Sequence, residues 1–486
     1  MDAPILPGGT GQRHLLIPAM PVPNGPLHLG HVSGPYLRLD MLARHLRRRG
    51  DRAAIVCGTD AYDSYLPLRA REEGVSPVDL ARRCHARIAE SLRALDIAVE
   101  ALLDPLAPEW AAPYRAAHEE VMRGLRAAGA LESVPERLPY SRVRSRFVTG
   151  GDLVGRCPAC LAPAAGFFCE DCGAHFQPSA LLDPRPRWGE EPLASRRITN
   201  AFLRVRDPRG LAAQWAGARV PDRFRGIAGR YLDREGPRVR LTGPESWGLP
   251  WTAAPEGEAR SLFGHGLLFA YCDLCGEAYA RRTGSGNPFR TETGVITVNG
   301  FGVDNTVSHL VGIQAVALAL PDRRPFDRFL INDFYLLEGE KFSTSRGHAV
   351  WAADLVERTP VSAAALVRRL RAALRRQEDG LAYATFDPRP VAEEFLRWQE
   401  AAEPIRTADQ AYWWLKGFAL LGEPVMPGLA GEIWRALGGE GAPTYAAALA
   451  PTRPLPAPAV TPFAPVERGD LASCLPETVS GAPSEG

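Results

Sequence analysis

Two short stretches of the chain hold the residue types that handle phosphate. In "PNGPLHLGH" two histidines, His28 and His31, stand three apart in a turn between an apolar run and a helical pattern. Imidazoles at the carboxyl end of a strand, beside a helix N-terminus, can donate hydrogen bonds to a pentacoordinate phosphorus as charge develops on its oxygens. Far downstream, "EGEKFSTSRGHAVW" gathers Lys341, Ser343, Thr344, Ser345 and Arg346, a donor-rich loop of the kind a phosphate clamp requires. Of 57 lysines and arginines only Lys341 and Lys416 are lysine, so a compact ammonium stands at 341 against the chain's habit of using arginine. Taken singly, each stretch has a plainer reading: a histidine capping a helix beside an exposed loop histidine, and an ordinary polar loop. A third set is more specific. Cys157-Pro-Ala-Cys160 and Cys169-Glu-Asp-Cys172 are two CxxC pairs eight residues apart, the spacing of a closed tetrahedral zinc site rather than of buried free cysteines.

These groups need elements to position them. The stretch around residues 13–48 reads as strand, Pro/Asn/Gly turn and helix, with Leu39, Leu42 and Leu46 on one helical face. "RAAIVCGTD" is a second apolar strand, and the helix after it starts at Ser76 as N-cap, with Pro77 in its first position and Asp79 in its first turn. Strands alternating with helices imply a parallel α/β sheet. The rhythm breaks between about Leu103 and Arg240, where the cysteines and several Pro/Arg loops lie, and resumes through "GVITVNGFGVDNTVSHLVGIQAVALAL". The expected organisation is a first catalytic half over 1–102, an insertion over 103–240, a second half over 241–335, a loop and following region over 336–386, a short helical bundle over 387–445 and a Pro-rich tail over 446–486.

Bulk composition narrows the class. A length of 486 residues suits roughly two to four domains. A net charge of +1 with 45% apolar residues excludes a polycationic surface that grips nucleic acid over its whole face. No apolar run nears the ~18 residues of a membrane span, the N-terminal stretch lacks signal-peptide character, and nine cysteines fit a reducing compartment, so a soluble cytoplasmic protein with no membrane partner is expected.

The two phosphate motifs together, on α/β architecture, resemble the HIGH and KMSKS signatures of class I aminoacyl-tRNA synthetases, and the cysteine knuckle between the halves is similar to the connective-peptide zinc site of the methionyl-tRNA synthetase family. The resemblance covers roughly residues 12–385, with a weaker likeness in 418–438. It implies a Rossmann-like catalytic domain with a zinc-knuckle insertion and a short α-helical C-terminal region, making an aminoacyl-adenylate from an amino acid and ATP with Mg²⁺, and carrying a structural Zn²⁺. By that resemblance His28, His31 and Lys341 are catalytic, with Arg346 expected to join them as a substitute cation, and Gly30, Asp304, Ser343, Thr344 and Ser345 face ATP, with Asp304 at the ribose. Asp60 meets the substrate ammonium, Met20, Val22, Tyr271, Asn305 and His309 line the amino-acid pocket, and Cys157, Cys160, Cys169 and Cys172 hold the metal.

Several departures from the family pattern bear on function. Val22 stands where the family has a tyrosine, Tyr271 is expected to replace its pocket tryptophan, Asn305 replaces an aliphatic residue, and Tyr62-Asp63 replace His-Gly. An apolar pocket that loses aromatic walls and gains Asn and Asp will not prefer a thioether. Cys272 and Cys275 are expected as free pocket-lining thiols rather than a second metal site. Thr344 replaces the family's second lysine, so either Arg346 supplies the charge or adenylate formation is slower. Residues 387–445 leave little room for an anticodon-reading bundle, and Trp413 and Trp414 are read as helical core rather than a base-stacking platform. The preferred expectation is an amino-acid-activating paralogue that passes its acyl group to a small-molecule hydroxylamine or amine, as in hydrazine synthetases of natural-product pathways. No cupin-like histidine pattern is present, so a cupin partner would be a separate protein. A compact genuine methionine–tRNA ligase and a non-catalytic binding module are the alternatives; tRNA is the less favoured acceptor.

Overall fold

The computed structural model describes residues 11–255, 261–290, 292–342, 348–352, 368–383, 386–400 and 408–445. Ser343, Thr344, Ser345 and Arg346 lie outside the described residues. Strand β1 (Arg13–Pro18) leads through a turn and a helical bend into α1 (Leu37–Arg48), and β2 (Arg52–Gly58) is followed by α2 (Pro77–Ala94) and β3 (Ala101–Leu103). The cap anticipated for α2 is present: the Ser76 hydroxyl accepts the Asp79 N–H at 3.1 Å, with Pro77 in the first turn. Helix α3 (Pro108–Ala127) leads into a long antiparallel pair, β4 (Leu131–Ser141) with β5 (Ala194–Arg204), in register from Leu131↔Leu203 to Tyr140↔Ala194. The cysteine knuckle lies between those two strands in sequence. Helix α4 (Gly264–Thr283), β6 (Val295–Gly302) and β7 (Arg328–Asn332) complete the catalytic layers.

The central sheet has the order β7-β6-β1-β2-β3, all parallel. Both faces are covered, which is why β1 reads as an unbroken apolar run: Leu15, Leu16 and Ile17 are fully buried. On one face Leu16, Ile55, Val298 and Leu330 meet Leu39, Leu42 and Leu46 of α1. On the other, α3 and α4 pack against Leu15, Ile17 and Val56. Burial of each such leucine stabilises the fold by about 1.5–3 kcal/mol relative to exposure.

Four C-terminal helices, α5 (Arg368–Leu381), α6 (Pro388–Glu400), α7 (Ala408–Gly422) and α8 (Pro427–Ala436), close around Trp398, Trp414 and Phe418. Trp414 is fully buried, so it belongs to the core and offers no face to a base. Lys416, the second lysine, is also buried, its ammonium lying 5.2 Å from the Trp413 ring and 5.8 Å from that of Trp434. The bundle docks on α1, where Arg48 donates to Gln377 at 2.9 Å. Among the described residues no helix is long and apolar enough to cross a membrane.

Candidate functional site

Strands β1 and β6 are neighbours whose following segments leave the sheet in opposite directions, β1 toward β2 and β6 toward β7. A parallel α/β sheet opens a crevice at such a point. A cavity of about 250 Å³ occupies it here. It receives Met20, Val22, His28, Gly30 and His31 from beyond β1, Asp60 and Asp63 from beyond β2, Asp304, Asn305 and His309 from beyond β6, and Asn332 and Lys341 from β7 onward.

Residues 28–31 form a helix turn closed by its own histidines. The His31 N–H donates to His28 Nδ1 at 3.1 Å, the His28 N–H donates to His31 Nδ1 at 3.4 Å, and the two rings stack with centroids 3.7 Å apart. Because both Nδ1 atoms accept, the proton of each neutral ring sits on Nε2. Burial, then His31 and Lys341, push His28 down to about 2; burial and then Lys341 push His31 to about 4. Both imidazoles are therefore neutral donors near pH 7. Residues on either side of positions 343–347 grip this turn: the Leu29 N–H donates to the Val350 carbonyl at 2.8 Å, the Ala352 N–H donates to the Leu27 carbonyl at 3.1 Å, and Phe342 packs on the His28 ring.

Lys341 lies 3.0 Å from Asp304 through Nζ and Oδ2, with its ammonium 4.3 Å from the Phe334 ring. Burial works against the Asp304 charge, but Lys341, a backbone hydrogen bond and His175 together outweigh it and hold the carboxyl below its usual range. The backbone carbonyl of Asp304 is held in turn by His175 Nε2 at 2.8 Å. Asn305 donates to Asp304 Oδ1 at 3.2 Å, so its amide serves the aspartate as well as the cavity wall.

At the other end Asp60 is buried, and burial, then Asp63, raise its carboxyl to about 7. Asp63 accepts the Tyr65 N–H at 2.7 Å and faces His265 Nε2 at 3.3 Å. His309 is buried, bonded through Nδ1 to Asn299 at 2.7 Å and stacked on Phe301.

Three expected pocket residues lie elsewhere. Tyr271 is in the core, its hydroxyl accepting the Gly58 N–H at 2.9 Å, and Cys272 and Cys275 are buried beside it rather than lining the cavity. The reason is the start of α4. The helix begins at Gly264 and kinks at Leu267, so its first turn, with His265 and Leu268, reaches the cavity, while Tyr271 is carried back under β2. Sequence reasoning missed His265, Asn332 and three contributions from the knuckle region, Phe168, Glu170 and His175. Histidine is scarce at ten per chain, and "FGHG" and "CGAHF" were the available signals.

The knuckle itself fits a zinc ion. The four Sγ atoms lie within 4.8 Å of one another, with Cys157 to Cys172 at 3.8 Å and Cys160 to Cys169 at 3.6 Å. A tetrahedron with Zn–S bonds of about 2.3 Å has sulfur–sulfur edges of about 3.8 Å. Such an ion would crosslink two turns whose residues between and beyond the cysteines reach the cavity.

Comparison with known proteins places this geometry. The family model described as tRNA synthetases class I (M) matches residues 14–368. Methionine–tRNA ligases of Chlamydia pneumoniae and Rubrobacter xylanophilus are 28% and 27% identical to it over 342 and 370 residues, covering 70% and 72% of this chain. The chain spans 61% and 63% of those relatives' own length. The fold is similar to Mycobacterium tuberculosis methionyl-tRNA synthetase bound by methionyl-adenylate, with a TM-score of 0.59, 18% identity, and coverage of 93% of this chain and 99% of that one. With the sheet order, the crevice and a family match running through most of its length, this chain belongs to the class I tRNA synthetases of the methionyl type.

Proposed function

We propose that the protein activates an α-amino acid with ATP, forming an aminoacyl-adenylate and pyrophosphate. The observation that carries this reading is the convergence of His28, His31, Lys341, Asp304 and Asp60 on one cavity. ATP enters with Mg²⁺ carried on its phosphate oxygens. Asp304 takes the ribose hydroxyls, and Asp60 takes the substrate ammonium. The amino-acid carboxylate attacks the α-phosphorus, the new bond is a mixed anhydride, and the bond to the β-phosphate oxygen breaks to release pyrophosphate. Nε2–H groups of the two neutral histidines donate to the charge developing on the phosphorus oxygens, and Lys341 neutralises the leaving pyrophosphate. Cys157, Cys160, Cys169 and Cys172 would hold a Zn²⁺ that would supply a crosslink and no chemistry.

In the second step a small-molecule hydroxylamine or amine attacks the acyl carbonyl, the C–O bond to AMP breaks, and the acceptor loses its proton. Two features support an acceptor other than tRNA: Trp414 is turned into the bundle core, and the amino-acid end of the cavity carries Asp63 and Val22. A genuine methionine–tRNA ligase is favoured by the family match and the retained His309. Amino-acid-dependent ATP–pyrophosphate exchange tests activation; exchange with no amino acid of the twenty sinks it. Charging of a methionine tRNA transcript, with methionine as the sole supporting amino acid, would establish the ligase reading instead.

A further inference from the structure

Two carboxylates, not one, stand at the amino-acid end of the cavity. Asp60 and Asp63 are both buried and both face it. Ionised, their four oxygens offer roughly eight acceptor positions. The protein fills few of them: backbone N–H groups of Tyr62 and Asp63 serve Asp60, while the Tyr65 N–H and His265 Nε2 serve Asp63. No lysine or arginine lines the cavity among the described residues except Lys341, and its ammonium is held by Asp304. A substrate ammonium brings three donors, enough for Asp60. Acceptor capacity at Asp63 is then left for something else.

His265 is not a loosely placed neighbour. Its Nδ1 meets Ser308 Oγ at 3.4 Å, and Phe167 sits edge-on to its ring with centroids 4.6 Å apart, so a serine, an aspartate and an aromatic contact hold one ring orientation. Burial disfavours the imidazolium, but Asp63 outweighs it and raises the imidazole's affinity for a proton. The Asp63–His265 pair is thus a fixed, polar wall, with Asp63 standing where the family pattern has a glycine. A thioether is only a weak acceptor and brings no donor to that wall.

We infer that the Asp63–His265 pair reads the side chain of the activated amino acid, and that this side chain ends in a hydrogen-bond donor, a hydroxyl, amide or amine. The inference rests on the adenylate-forming reading above and specifies its substrate class. Phe168 and Leu268 line the same cavity and offer apolar contact to a stem that carries the donor. A site built to bond a polar group rejects analogues lacking it by far more than a hydrophobic slot rejects a wrong shape, up to about 10⁴–10⁵-fold.

The test is ATP–pyrophosphate exchange by the full chain with serine, threonine, asparagine, glutamine, ornithine and lysine, against methionine, norleucine, leucine and glycine. The best donor side chain should exceed methionine in kcat/KM by about 100-fold or more. Asp63→Asn and His265→Gln, each checked for an intact melting transition, should shrink that ratio at least about tenfold, the discrimination carried by one polar contact. If either variant fails to fold, the wild-type panel alone still decides the substrate class. Methionine, leucine or glycine as the best substrate overturns the inference and leaves adenylation standing. An unchanged ratio in both folded variants overturns the role of the pair. No exchange with any amino acid overturns the adenylation reading, and this inference with it.

Discussion

Lys341→Met removes the ammonium that lies 3.0 Å from Asp304 and is reserved for phosphate in the proposed reaction. One charge-assisted hydrogen bond is worth about 1.5–3 kcal/mol, so kcat/KM for ATP should fall about 10- to 150-fold. The upper end is expected, because Thr344 stands where the family has its second lysine and Lys341 carries more of the phosphate charge alone. A second effect should accompany the first. Asp304 loses the cation that offsets its burial, its carboxyl pKa rises, and ribose binding becomes sensitive to acid. Lys341→Arg keeps the charge but asks a planar fork to fit between Asp304 and the Phe334 ring, and should still cost about tenfold. The assay is pyrophosphate exchange with ATP varied at saturating amino acid. A melting curve run in parallel should show little change, since this side chain sits at the cavity rim. A methionine variant within about threefold of wild type, less than the smallest loss expected of a charged hydrogen bond, would refute the assignment, as would a fully active arginine variant.

Four further outcomes follow from the same geometry. His31→Ala should lower the exchange rate by about 10²–10³ with little change in the KM for ATP, because its Nε2–H acts on charge that appears only in the transition state; a near-normal rate removes it from the mechanism. The Asp60 carboxyl, raised to about 7 by burial and Asp63, binds the substrate ammonium only when ionised, so kcat/KM for the amino acid should fall about tenfold per pH unit below that value. Asp60→Asn should flatten the profile, and a wild-type profile flat from pH 5 to 8 would contradict the role. Purified protein should carry stoichiometric zinc by atomic absorption, and Cys160→Ser should lose it and raise the KM for ATP, since His175 just past the knuckle holds the Asp304 carbonyl. Trp414→Ala should destabilise the bundle by about 3–5 kcal/mol while leaving exchange activity below the melting transition; a loss of exchange without a loss of stability would show that the tryptophan does more than pack.

How much of this was legible beforehand depended on whether chemistry or packing chose each residue. The histidine turn and Lys341 could be read from residue type and spacing, and Asp304 from the family resemblance; they meet in one crevice because a parallel sheet brings its strand ends together. The cysteine pairs were equally readable, since metal geometry dictates their intervals. Tyr271 was placed in the pocket by its match to the family's tryptophan, and α4, buried from Gly266 through Gly276, shows no exposed face in that stretch that would have corrected the match. The kink at Leu267, which aims His265 instead, comes from backbone geometry that no periodicity records. Phe168, Glu170 and His175 were invisible for another reason: the knuckle's place in sequence says nothing about which wall it leans on. Trp413 and Trp414 were read as core, and Trp414 is buried without exposure.

The pairing of β1 with β6 also sets the order of events during synthesis. Asn299 bonds the Ile17 carbonyl across 282 positions of chain, and Arg13, which has Arg52 on one side, meets its neighbour on the other side only at Val295. At about 5–20 residues per second the ribosome takes about 15–60 s to make that span. Through this interval the N-terminal strands can pair with each other, but one edge of β1 stays open, a standing invitation to another strand. The cysteine turns and the long β4–β5 pair are both complete within it, so the contacts within this stretch can form before the sheet closes around the crevice. Neither half of the phosphate machinery can assemble early. A nascent chain stalled before β6 would hold its histidines with no aspartate or lysine to meet them, and its exposed strand edge would make it a client for chaperones.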